Sequence, residues 1–282
     1  MDTMPAPIDI LPTPSAIPPA PIIASPPARP PGLRAALGLV ALYFVLQAVG
    51  SGLIALVLGV AMGFVRPWQG MAHADDGIRS MLDQPGMPAL LVIATLSLAA
   101  ALILLLTRRR WPHLWSLAQP PGFGFVRTTR PLFLALAVAI GLTAPLLGGW
   151  LTQLLAHGQT VTQNIQQLGA DTPPAWRIML VLVVVSVGPV VEELLFRGVL
   201  LSALWQRWRT GWAMTLSSLA FALVHLPGLQ WQWFALPDLL LLALALAWLR
   251  LRSGSIWPGV LAHGVNNLLA VAAWFVAINL PG

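Results

Sequence analysis

The sequence predicts an all-α, polytopic bundle of transmembrane helices, with about seven spans (seven or eight) and the N-terminus in the cytoplasm. Three observations carry this. Of the 282 residues, 57% are hydrophobic and only 9% are charged, whereas soluble domains usually carry about 25% charged residues. Apolar runs recur at roughly residues 35–64, 87–107, 131–155, 176–206, 211–226, 236–251 and 256–278. The arginines fall in alternate connections between these runs, as the positive-inside rule requires.

Along the chain, residues 1–32 contain eleven prolines and no arginine before Arg29. They lack the basic start and unbroken apolar stretch of a signal peptide and read as a disordered, partly polyproline-II tail. Residues 33–160 read as accessory transmembrane helices and residues 175–280 as the functional domain. A helix rising ~1.5 Å per residue needs about 20 residues to cross the hydrocarbon. The 211–226 and 236–251 runs are therefore short, and their tryptophan-rich flanks are expected to complete them. An N-terminus inside places Arg29, Arg34, Arg108, Arg109, Arg110, Arg127, Arg130, Arg207, Arg209, Arg250 and Arg252 in the cytoplasm. Arg66, Arg79 and Arg177 fall outside, together with Asp75, Asp76, Asp83 and Asp171.

Composition also excludes chemistry. The formal charge of +6 comes with no lysine at all, and the arginines report topology, so no nucleic-acid partner is expected. Without cysteine there is no disulfide, thiolate nucleophile or Cys-ligated metal. The composition suits a GC-rich bacterial genome, which makes the bacterial cytoplasmic (inner) membrane the expected location and the lipid bilayer an obligatory partner.

The two glutamates of the chain, Glu192 and Glu193, are adjacent and inside an apolar run. Ionisable groups at such depth are costly and normally face a wet cavity or a partner. Successive helical residues point about 100° apart, so the two carboxylates cannot share a face. Glu193 stands four residues before Arg197, the favourable order for an ion pair. That leaves Glu192 to hold and deprotonate a water. Gly188-Pro189, one turn earlier, could kink the helix and free carbonyls beside it. Phe221 and His225 share a helix face, as do His263 and Asn267. Measured from the nearest cytoplasmic arginine at ~1.5 Å per residue, Glu192 lies about 22 Å deep, His225 about 24 Å and His263 about 16 Å. Three ionisable groups on three spans at similar depth imply one cavity.

Two chemistries fit that set. In one, Glu192 is the general base, His225 orients the water, and His263 with Asn267 stabilises an oxyanion without a metal. In the other, Glu192, His225 and His263 bind zinc with an open position for water. The absence of a local His-Glu-x-x-His pattern favours the metal-free version.

Glu-Glu-x-x-x-Arg, Phe-x-x-x-His and His-x-x-x-Asn, in that order on successive spans, resemble the CAAX protease and bacteriocin-processing (CPBP, Abi) family, related to the type II CAAX prenyl proteases. The resemblance covers roughly residues 175–280. It implies an intramembrane endopeptidase, a hydrolase, with Glu192 activating water, His225, His263 and Asn267 completing the site, and Glu193, Arg197 and Phe221 supporting it. The family has been discussed both as metalloproteases and as glutamate-dependent proteases, so zinc stays open. The implied substrate is a membrane-associated peptide or protein. Two other readings stand beside this one: a non-catalytic membrane adaptor or immunity protein on the same fold, and a proton-coupled transporter using the Glu and His residues as a relay. The transporter is disfavoured by the lack of an inverted repeat and by clustering of the polar groups at one depth.

Overall fold

The computed structural model describes residues 29–65, 83–159 and 164–276, and among these it contains helices and turns but no strand. Most of the proline-rich tail, together with Arg66, Arg79, Asp75 and Asp76, lies outside the described residues. Eight helices follow in order: α1 (Leu33–Val65), α2 (Met87–Arg110), α3 (Leu132–Ala156), α4 (Asn164–Asp171), α5 (Pro174–Trp205), α6 (Thr210–Val224), α7 (Leu236–Ser253) and α8 (Trp257–Val276). Seven of them occupy the seven apolar runs. Five segments, containing α1, α2, α3, α5 and α7, are long and apolar enough to cross a membrane, and α6 is a shorter apolar helix. The short α4, built on the polar segment beginning Asn164-Ile165-Gln166-Gln167, is an addition that hydropathy could not reveal.

Local sequence fixes the boundaries. Gly86, at φ 95°, opens α2, and Pro88 occupies its first turn, where a missing N–H costs nothing. Arg108, Arg109 and Arg110 close α2, and Arg250 and Arg252 close α7, where cations oppose the negative end of the helix dipole. Gly254 at φ 68° then terminates α7. The expected extension of the two short spans is only half realised. A 3-10 turn at Trp233–Ala235 prolongs α7, whereas α6 stops at fifteen residues because the chain enters a second 3-10 turn, Leu226–Leu229, containing Pro227.

The long run 176–206 does not break into two spans. α5 is one continuous helix interrupted by two π stretches, Val183–Val187 and Leu194–Leu200. It is the core of the molecule: Leu194, Leu195, Phe196, Val199 and Leu200 are fully buried against α1, α2 and α6. α1 and α3 instead turn leucine and valine outward, with Leu56 and Leu146 about two-thirds exposed, as lipid-facing helices do. Trp176, Trp208, Trp212, Trp231, Trp233 and Trp257 are also exposed, near helix ends.

One end of the bundle is covered by a connection. The α2–α3 connection folds over the junction of α7 and α8, where the buried Arg250 donates to the carbonyls of Ala118 and Gly122 and Ile256 N–H donates to Gly124 at 2.8 Å. Gly124 is at φ 79°, and a Cβ there would meet the Arg250 guanidinium at 2.6 Å, so the close approach requires glycine. Ser255 Oγ donates to Val126 O on the same surface, and Gln206 reaches Pro31 O at 3.2 Å. At the other end Arg177 ties the start of α5 to Trp274 O on α8 and to Thr172 O.

Candidate active site

Glu193 and Arg197 lie one turn apart on α5, both fully buried, with Arg197 Nη1 donating to Glu193 Oε1 at 2.9 Å. A second guanidinium N–H donates to Ala243 O on α7 at 3.1 Å, and the cation sits 4.5 Å from the centre of the Phe221 ring. The pair thus locks α5 to α6 and α7. His263 of α8 approaches the same carboxylate, with Nδ1 3.3 Å from Glu193 Oε1.

Glu192 faces the other way, into a cavity of about 450 Å³. Its Oε2 is 3.8 Å from His225 Nε2 and 3.7 Å from His263 Nε2. These distances exceed a direct hydrogen bond and suit a water shared between the groups. His225 Nδ1 is 2.7 Å from the Phe221 carbonyl, so Nδ1 carries a hydrogen and Nε2 is the nitrogen turned to Glu192. By the same logic His263 uses Nδ1–H toward Glu193 and directs Nε2 at Glu192. Phe221 is the aromatic centre of the site, its ring 4.6 Å from that of His225 and 5.5 Å from that of His263. All seven residues of the three motifs are therefore brought together, six of them around Glu192 or Glu193 and Asn267 on the cavity wall.

The backbone of α5 is part of the site. The π stretch just before Gly188-Pro189 leaves Val184 O to accept from Asn267 Nδ2 at 3.0 Å, and both residues line the cavity. This is the freed carbonyl expected of the Gly-Pro step, and it engages one Asn267 N–H while leaving the other. Gly264 allows the approach, since a Cβ there would lie 2.6 Å from Val185 O. Gly264→Ala is expected to force α8 away from α5 and lower the thermal midpoint by the equivalent of about 1–3 kcal/mol, the usual cost of overpacking. An unchanged midpoint in a detergent melt would contradict that packing.

Sequence reasoning missed three contributors. Asp238, in the first turn of α7, lines the cavity with Gln166 of α4 and with Pro145 and Gly149 of α3. Gly148 makes room for it, because a Cβ there would collide with the Asp238 carboxylate at 1.7 Å. The signal was present, as Asp238 is the one acid of the 236–251 run, but at a helix start it reads as a dipole partner. From α1, Phe44 packs edge-on against His225 at 5.9 Å, and the buried Tyr43 stands edge-on behind Phe44 at 5.1 Å. The first half of the chain thus supplies walls to the site as well as lipid contact.

The zinc alternative can be tested on the donors. Ligand atoms of a tetrahedral zinc with ~2.1 Å bonds stand about 3.4 Å apart, and the Glu192–His distances of 3.7 and 3.8 Å are wider. No group of three or more His, Asp or Glu among the described residues is placed to hold a metal.

Residues 174–269, about a third of the chain, match the family model described as type II CAAX prenyl endopeptidase Rce1-like, and in this segment the chain is similar to that family. Comparison with curated proteins and with solved structures gave no match.

Proposed function

We propose that the protein is an intramembrane endopeptidase of a bacterial cytoplasmic membrane that hydrolyses a peptide bond in a membrane-associated protein or peptide. The observation that carries this reading is the Glu192 carboxylate held between two imidazole nitrogens on the wall of a cavity. A water placed there donates one hydrogen to Glu192 and the other to the His225 Nε2 lone pair, which leaves its oxygen free to attack the scissile carbonyl carbon. Glu192 takes the water proton as the new C–O bond forms. The oxyanion accepts from the free Asn267 N–H and from His263, which in its doubly protonated form donates from Nε2 while Glu193 balances it at Nδ1. Collapse breaks the C–N bond, and the proton held by Glu192 leaves on the amine. No step requires a metal, so cleavage is expected to survive a strong chelator; loss on chelation with recovery on zinc would overturn the metal-free mechanism.

The cavity lining contains two carboxylates, Glu192 and Asp238, and no arginine. A substrate segment with a basic residue beside the scissile bond complements it. Asp238→Asn is expected to raise KM for such a peptide about tenfold or more with kcat held, the loss of one charge-assisted hydrogen bond of ~1.5–3 kcal/mol. Equal KM for basic and neutral peptides in both proteins would remove Asp238 from substrate recognition. The reading as a whole is tested by exposing detergent-purified protein to a quenched peptide library. Discrete cleavage products support it, and a library left intact would favour the non-catalytic adaptor.

A further inference from the structure

The two ends of the bundle differ in charge and in access. Eleven of the described arginines lie at one end: Arg29 and Arg34 before and in the first turn of α1, Arg108–Arg110 closing α2, Arg127 and Arg130 before α3, Arg207 and Arg209 between α5 and α6, and Arg250 and Arg252 closing α7. Short arginine-rich connections are retained in the cytoplasm. This end is also covered by the α2–α3 connection through Arg250, Ile256 and Ser255. None of the residues lining the cavity comes from these connections.

The cavity reaches the opposite end. Its wall there is formed by Gly228 and Leu229 of the α6–α7 connection, Gln166 of α4, Asp238 in the first turn of α7 and Gly149 in the second half of α3. Gln166 and Gly228 are exposed. Arg177, the one described arginine at this end, is held by backbone carbonyls.

We infer that the cavity opens on the non-cytoplasmic side of the membrane, and that its substrate is a polypeptide segment presented outside the cytoplasm, at or beyond the outer leaflet. The substrate clause rests on the endopeptidase reading; the location of the mouth does not. A cytoplasmic protein tail would meet the covered, arginine-rich end and could not reach Glu192.

Because the chain has no cysteine, single-cysteine variants can report sidedness without background. Gly228 at the mouth and Gly211 at the start of α6 are both exposed, and a Cβ at either meets nothing within 4 Å. In right-side-out bacterial spheroplasts treated with a membrane-impermeant maleimide, the Gly228→Cys variant is expected to label before lysis and the Gly211→Cys variant only after it. The reverse pattern, or labelling of both before lysis, would overturn the inference. Should Gly228→Cys fail to accumulate, Gln166→Cys reads the same mouth. Cleavage assays on the same membranes separate the two ideas: correct labelling with no peptide cleavage keeps the sidedness and sinks the endopeptidase.

Discussion

Glu192→Gln is expected to lower kcat/KM by about 10²–10⁴-fold, the range supplied by a positioned general base, while leaving the thermal midpoint of the purified protein near that of wild type. Glutamine keeps the shape and polarity of the side chain but cannot accept the water proton. Folding should tolerate it because Glu192 stands at the cavity wall, partly exposed, with both histidine nitrogens beyond hydrogen-bond distance. A variant that retains full activity would exclude Glu192 as the base. One that loses activity together with its fold would leave the carboxylate a structural role only, so the melt must accompany the kinetics.

Arg197→Met is expected to have the opposite profile. It removes the partner of a fully buried carboxylate, and breaking such a pair from one side costs about 3–5 kcal/mol because the remaining charge is left unpaired. The loss is compounded at Ala243 O and at the Phe221 ring, both of which Arg197 engages. Little folded protein should survive heating in detergent, measured by size-exclusion profiles after a temperature series. Adding Glu193→Gln to Arg197→Met is expected to recover part of that stability, since no buried charge then stands alone. No recovery in the double variant would mean that the arginine acts through packing and its backbone contacts, without a decisive electrostatic role.

The apolar runs were legible because lipid solvation imposes length and composition on each span, and seven of the eight helices fell where hydropathy put them. The Glu193–Arg197 pair was legible for a different reason, its i, i+4 spacing within one helix. Similar depth was enough to bring His225 and His263 each within 4 Å of Glu192. What escaped notice depends on neighbours rather than on local pattern. The π stretches of α5 leave no periodicity signal; the one before Pro189 meets α8 at Gly264 and supplies a carbonyl to Asn267. Phe44 reaches the site, with Tyr43 packed behind it, only because α1 packs against the middle of α5, and their helix reads in isolation as lipid-facing. Asp238 was hidden by position, since an acid in a helix's first turn has an ordinary explanation.

Whether Glu192 activates water for peptide hydrolysis is decided by cleavage in ¹⁸O-enriched water, run in parallel with wild type and Glu192→Gln. Mass spectrometry should find one ¹⁸O in the newly formed carboxyl terminus of the wild-type product and no product from the variant. Equal product from both proteins, or none from either, would contradict it.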